Sequence, residues 1–223
     1  MRRVLTGAIK QVSFYVFSRL QYGRDGADLR KNLAQLKYCG DELDVDPDVR
    51  FYGPQNIEIG SFTKIRSGTR IQTVDSYPLT GQRFNQKLKI GERCFIEFGV
   101  HIGAYHSIEI GNDVTIASRA YIADQQHRYD DPMKPVTHQL ISEGGRIIIG
   151  NGSFIGTGAC IFSNVVLGEH VVVGANAVVT KDVPAFCVVV GVPARILRHY
   201  DFERQDWVAG APATKDTNAE ALG

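Results

Sequence analysis

A chain of 223 residues, 43% hydrophobic and 22% charged, has an ordinary globular composition and suits one large domain or one domain with tails. A formal net charge of +1 with no long Lys/Arg run excludes a global field of the kind that draws in nucleic acid. No stretch is long and apolar enough to span a membrane. Cys39, Cys94, Cys160 and Cys187 form no CxxC pair, which points to buried thiols in a reducing, cytoplasmic setting.

At the N-terminus, Val4, Leu5, Ala8, Ile9, Val12, Val16 and Leu20 recur at helical spacing, so residues 1–44 are expected to form a helical segment. Lys10 and Arg19 interrupt the apolar run and no small-residue cleavage site follows, which argues against a signal peptide. Two roles stay open for this helix. It packs on the domain or on a partner subunit, or its basic amphipathic face touches the inner surface of a membrane through residues 1–22.

From residue 45 to 200 the dominant signal is a period of six. Stepping by six from Ile59 gives Ile65 and Ile71. The register resumes at Ile90, Ile96 and Ile102, then at Ile110, Ile116 and Ile122. It then runs unbroken through Ile149, Ile155, Ile161, Leu167, Val173 and Val179. The residue four places later is small or β-branched: Thr63, Thr69, Cys94, Val100, Val114, Ala120, Ser153, Ala159, Val165, Val171, Ala177 and Val183. A helix needs period 3.6 and a strand pair needs period 2. A period of six fits a coil of short flat strands around a stacked aliphatic interior. At Asp75, His106 and Gln126 the small residue is missing, each at the third hexad of a group and each followed by an insertion. Hexads therefore come in threes and make three faces per coil. The insertions at about 75–89, 107–109 and 127–148 leave from one edge, where a solenoid carries its function. Residues 201–223 are expected to be a short tail, polar and in part disordered after Trp207.

These repeats resemble the hexapeptide-repeat acyltransferases, and most closely the sugar O-acetyltransferases of the galactoside and maltose type. The resemblance implies an all-β fold, a left-handed parallel β-helix, although parallel crossovers are otherwise right-handed. It implies acetyl transfer from acetyl-CoA, as co-substrate, to a hydroxyl of a sugar or polysaccharide precursor. It also implies a homotrimer with active sites between subunits. An amino-sugar N-acetyltransferase is the alternative chemistry.

The segment "DQQHRYDDP" resembles the family's "DHxHxxxDP", and the match carries the general base to His127. An imidazole can take a proton from a hydroxyl near neutral pH. Gln125 stands where the family's first histidine would be. Asp124 and Asp130 are candidates to orient the ring, Asp124 also as a substrate contact. In "FIEF", Glu97 occupies the position of a family asparagine that holds substrate, at a different corner from His127. The two would share a site only across a subunit interface. The run "VVTKDVP" followed by "VGVPAR" matches the family's acyl-CoA segment. By that match Thr157 and Ala175 line the pantetheine arm, and Thr180, Lys181, Arg195 and Arg198 meet the nucleotide end, where cations suit phosphate.

A zinc reading competes for the histidines. Hexapeptide-repeat carbonic anhydrases use three, two of them five apart, like His101 and His106. There the lone histidine precedes the pair, whereas His127 follows it, so no metal is expected.

Overall fold

The structure is a computed structural model and describes residues 29–212. Of the helical segment expected over residues 1–44 and the tail expected over 201–223, residues 1–28 and 213–223 lie outside the described residues. Residues 29–33 form a short helical turn that buries Leu29 against the first coil.

The chain winds into a three-sided left-handed parallel β-helix. The first coil contributes β1 (Tyr38–Cys39), β2 (Asp44–Val45) and β3 (Arg50–Tyr52). The second contributes β4 (Ile57–Ile59), β5 (Lys64–Ile65) and β6 (Arg70–Thr73). A hairpin, β7 (Ser76–Tyr77) and β8 (Gln82–Arg83), then leaves the prism. The third coil is β9 (Lys87–Ile90), β10 (Phe95–Ile96) and β11 (His101–Ala104), and the fourth β12 (Ser107–Ile110), β13 (Thr115–Ile116) and β14 (Tyr121–Ala123). After a long loop come β15 (Arg146–Ile149), β16 (Phe154–Ile155) and β17 (Cys160–Ile161), then β18 (Val165–Leu167), β19 (Val172–Val173) and β20 (Val178–Val179). The chain ends in β21 (Cys187–Val190), β22 (Arg195–Asp201) and β23 (Asp206–Ala209).

Each coil adds one strand to each of three sheets. Face A is β1-β4-β9-β12-β15-β18, face B runs from β2 through β19 to β21-β22-β23, and face C is β3-β6-β11-β14-β17-β20. Register is pinned by the aliphatic column, with Ile65, Ile96, Ile116 and Ile155 as successive partners on face B. Every aliphatic first position of the repeat is buried, and so is every small residue four places later. A slip of one residue would turn the whole column outward, which is why the register is strongly specified. The polar members of the small set are paired internally. Thr63 donates to Gly91 O (3.0 Å) and accepts from Cys94 N (3.1 Å), and Ser153 does the same between Gly168 O and Val171 N (both 3.2 Å).

Two boundaries differ from those expected. The solenoid begins at Tyr38, not at residue 45, because β1 pairs with β4. Cys39, Val45 and Phe51 carry the same period of six, but the exposed thiol and the bulky ring disguise it. At the other end the solenoid does not give way to a tail at residue 201. Arg195–Asp201 turns back antiparallel on β21, and Asp206–Ala209 pairs with it in turn. Phe186, Phe202, Tyr200 and Trp207 pack edge to face across this cap, which an all-polar tail would not do.

Candidate active site

All three insertions leave from the edge where face C turns into face A. The first, 74–86, is the β7–β8 hairpin; the second is the Tyr105–His106 turn; the third is 124–145. The first and third interlock. The Tyr77 hydroxyl donates to Thr137 O (2.6 Å), and the Gln82 amide donates to Ile141 O (3.0 Å) while accepting from Ile141 N (2.8 Å). Ile141 is buried, and its backbone lies antiparallel to His127. Bonds from Arg128 N to Leu140 O (2.9 Å) and from Ser142 N to Gln126 O (2.8 Å) complete this small ladder. His127 is thus on a clamped strand and not on a free loop. Its half-buried ring meets the Tyr77 ring edge-on, centroids 5.4 Å apart.

Two polar atoms here are buried and unpartnered, His127 Nδ1 and Gln125 Oε1. A dry, unbonded atom of this kind costs about 1–3 kcal/mol. Both are available to a donor or acceptor arriving from a substrate, water or a second subunit.

The carboxylates expected beside His127 are engaged elsewhere. Asp124 is fully buried, and its oxygens accept from the backbone N–H groups of Tyr105 (2.7 Å) and His106 (2.9 Å). It shapes the second turn and cannot touch a substrate, which corrects the expectation of a substrate contact. Burial pushes its carboxyl above the usual carboxylate range, against the pull of the backbone donors. Asp130 pairs with Arg128. Asp131 takes the Met133 N–H and binds Lys134, so the Asp-Pro turn is held by its own residues.

Face C adds Tyr105 and Tyr121, which no sequence motif marks, beside His101. The Tyr105 phenol has Tyr121, Tyr77 and Arg70 in electrostatic reach, and burial raises it. His101 stacks on Tyr121 at 5.1 Å, and burial, with Arg70 nearby, pushes the imidazole down. His106 is turned away, its Nε2 on Ser142 O at 2.9 Å. Among the described residues no group of three His, Cys, Asp or Glu side chains lies close enough to hold a metal ion. The visible signal for Tyr77 and Gln82 was the first insertion itself, since loops leaving one edge fold over one another.

The remaining predicted residues fall at two other places. Glu97 is on the corner between faces B and C, where one carboxylate oxygen accepts from Ser118 N (3.0 Å) and Oγ (2.8 Å) and the other stays open. Thr157 and Ala175 are exposed two and one coils from the end on that same corner, joined by the Asn176 N to Thr157 O bond (2.9 Å). The backbones stack so closely there that a Cβ on Gly156 would sit 2.6 Å from Val173 O. Thr180 and Lys181 are exposed on the loop-bearing edge, and Arg195 and Arg198 on β22. One molecule therefore brings Glu97, Thr157 and Ala175 to one corner and His127 to another.

The geometry is that of a hexapeptide solenoid with a histidine clamped among loops at one edge. In this the chain is similar to the hexapeptide-repeat acyltransferases. Residues 146–181 match the family model "Hexapeptide repeat of succinyl-transferase". The chain is 35% identical over 115 residues to an Escherichia coli K12 protein named "Putative lipopolysaccharide biosynthesis O-acetyl transferase WbbJ", covering 48% of this chain and 58% of that one. It is 31% identical over 124 residues to a Mycobacterium tuberculosis protein named "Probable acetyltransferase", covering 56% and 40%. It thus spans less than two thirds of the length of either relative. Among solved structures, the N-acyltransferase AntD of Bacillus cereus, in complex with dTDP and 3-hydroxybutyryl-CoA, aligns with TM-score 0.63 at 22% identity, over 80% of this chain and 89% of that one. A maltose O-acetyltransferase of Clostridium difficile 630 aligns with TM-score 0.54 at 21% identity, over 86% and 88%. At these identities the structures speak for the fold.

Proposed function

We propose that this protein is an acetyl-CoA-dependent O-acetyltransferase acting on a sugar or polysaccharide precursor, with His127 as general base. The observation that carries the reading is the clamped His127, half-buried beside Tyr77 at the loop-bearing edge of a hexapeptide solenoid. The relatives named as O-acetyl and acetyl transferases support the same reaction class.

The acceptor hydroxyl loses its proton to His127 as its oxygen attacks the thioester carbonyl; coenzyme A thiol departs with the proton returned from the imidazolium. The charge that develops on the carbonyl oxygen needs a donor. The Gly156 N–H is committed to Val173 O, which leaves the Thr157 amide and hydroxyl for that role. Transfer is direct. Burial pushes the Cys94 and Cys187 thiols up, and none of the cysteines lies in the His127 loop.

Thr157 and Ala175 line the acyl-donor groove at one corner, with Arg195, Arg198, Thr180 and Lys181 toward the phosphates. Since His127 is on another edge, the complete site is formed between subunits of a homotrimer, where Glu97 of one copy faces His127 of the next. The protein works in the cytoplasm, and residues 1–22 are the segment through which it would reach a membrane surface. Among the described residues no helix is long and apolar enough to cross one.

The test is thiol release from acetyl-CoA with sugars, amino sugars and sugar nucleotides. His127→Ala is expected to lower turnover about 10²–10⁴-fold with coenzyme A affinity retained. Wild-type turnover in His127→Ala at saturating substrates would refute the assignment. A preference for amine acceptors would favour N-acetyl transfer.

A further inference from the structure

Face C presents a guanidinium that has been oriented but given no anion. Arg70 Nε donates to Gln72 Oε1 at 2.8 Å, and the guanidinium carbon lies over the Tyr52 ring, 4.7 Å from its centroid. These contacts fix one edge and one face of the group. Its terminal nitrogens make no ion pair among the described residues, while the exposed side chain of Arg50 stands in register on the adjacent strand. Like charges side by side on neighbouring strands are unfavourable unless an anion joins them.

The support beneath Arg70 is specific. Gln72 is nearly buried, 9% exposed, because its partner on the next strand is Gly103. A Cβ there would lie 3.2 Å from Gln72 Nε2 and 3.3 Å from His101 Nε2. The missing side chain lets Gln72 lie flat on the sheet with its carbonyl turned to Arg70. A free guanidinium edge held in this way matches the two oxygens of a carboxylate or phosphate.

The same group is linked to the proposed reaction centre through tyrosines. Arg70, Tyr121 and Tyr77 all lie in electrostatic reach of the half-buried Tyr105 phenol, and Tyr77 in turn contacts His127. The path from Arg70 to His127 is therefore lined by tyrosines, whose faces and hydroxyls suit a sugar ring.

We infer that Arg70 reads an anionic group on the acceptor. The acceptor is then a sugar acid, a sugar phosphate or a nucleotide sugar and not a neutral free sugar. Its charged group sits at Arg70, its ring passes Tyr105 and Tyr121, and its hydroxyl reaches His127. This rests on His127 as the base, and the two claims fail differently.

The experiment measures acetyl-CoA turnover on glucose, glucuronate, glucose 1-phosphate and UDP-glucose, with wild type, Arg70→Gln, Arg70→Lys and Gln72→Met. Calorimetric binding of the same four compounds is measured on His127→Ala with and without Arg70→Gln. The wild type is expected to prefer at least one charged compound. Arg70→Gln should raise KM for that compound roughly 10- to 100-fold, the scale of lost charge-assisted hydrogen bonds. kcat should change far less, as expected for lost ground-state binding. Arg70→Lys should recover part of the loss, and Gln72→Met should fall between. A preference for glucuronate identifies a carboxylate, and a preference for the phosphates identifies a phosphoryl group. If glucose is preferred, or if Arg70→Gln treats charged and neutral acceptors as the wild type does, the inference is overturned while acetyl transfer stands. If Arg70→Gln dissociates the assembly and Arg70→Lys restores it without altering acceptor preference, Arg70 belongs to a subunit contact and the inference is again overturned. Binding of a charged sugar to His127→Ala that Arg70→Gln abolishes supports it even where no turnover is found.

Discussion

Gln82→Ala isolates the clamp that holds the proposed base. Gln82 makes two hydrogen bonds to the backbone of Ile141, at 3.0 and 2.8 Å, and Ile141 is the residue opposite His127. Each such bond is worth about 0.5–1.5 kcal/mol net, and more where the abandoned group stays buried. Ile141 is 1% exposed, so the upper part of that range applies and the two bonds together contribute about 2–3 kcal/mol to closing the loop. The loop lies outside the aliphatic core, so the loss should appear as local opening and not as global unfolding. Hydrogen exchange of the 126–128 and 140–142 amides is expected to speed up roughly 30- to 150-fold, the factor that corresponds to that energy. The core strands should keep their protection and Tm should move by only a few degrees. Turnover should fall, with the acceptor KM raised and coenzyme A affinity little changed. Unaltered exchange at both segments would refute the clamp. An equal loss of protection in β15 to β17 would show that the loop and solenoid unfold as one unit.

Other expectations follow from the same geometry. Gly156→Ala must push a methyl group into the backbone of the next coil, and overpacking of this kind should destabilise by about 1–3 kcal/mol, read as a lower Tm at fixed protein concentration. Thr63→Val keeps shape but strands the Cys94 N–H and the Gly91 carbonyl, and should cost about 2–3 kcal/mol by denaturant titration; Thr69→Val, which loses a single bond to Glu97 O, should cost less. Because burial raises the Asp124 carboxyl, its contribution is fully present below the unfolded pKa and is lost as pH rises through the higher folded one; Asp124→Asn should remove that component, so the Tm difference between the two proteins should vary across the acidic range. Lys181→Ala should weaken coenzyme A binding with a smaller effect on turnover, measured by calorimetry beside initial rates.

The period of six made the solenoid legible because burial is periodic. Each aliphatic first position has one way to face inward, and each does. The first coil escaped because its interior residues, Val45 and Phe51, vary in size and lead from an exposed cysteine. The cap escaped for another reason. β22 alternates no clear apolar face, and its stability comes from rings at residues 186, 200, 202 and 207 meeting through antiparallel pairing. At the site, the position of His127 followed from the insertion that bears it. Its neighbours did not, since Tyr77 and Gln82 come from an insertion two coils earlier and meet it only through folded loop contacts. Asp124 shows the limit of adjacency in sequence. It is three residues from His127, yet it turns inward and spends its oxygens on the backbone of the coil below.

The division of labour among the edges follows from how a solenoid can vary. A hexad corner tolerates little change, because neighbouring coils approach within van der Waals contact and Gly156 has no room for a methyl group. Such a corner can offer a smooth groove for an extended chain but cannot build a pocket for a compact sugar. The insertion-bearing edge has the opposite properties: its loops lie outside the column and can change without disturbing register. An acyl donor with a long flexible arm suits the first surface, and an acceptor with a particular pattern of hydroxyls and charge suits the second. Thr157 and His127 stand on different edges of one prism, so on the proposed assignment of donor and acceptor the two substrates would meet where the corner of one copy is set against the loops of another. Assembly and catalysis are then one requirement. A variant that weakens association should lose turnover in proportion to its dissociated fraction and regain it as protein concentration rises, measured by sedimentation and initial rates on the same samples. A stable monomer with full activity would break this argument.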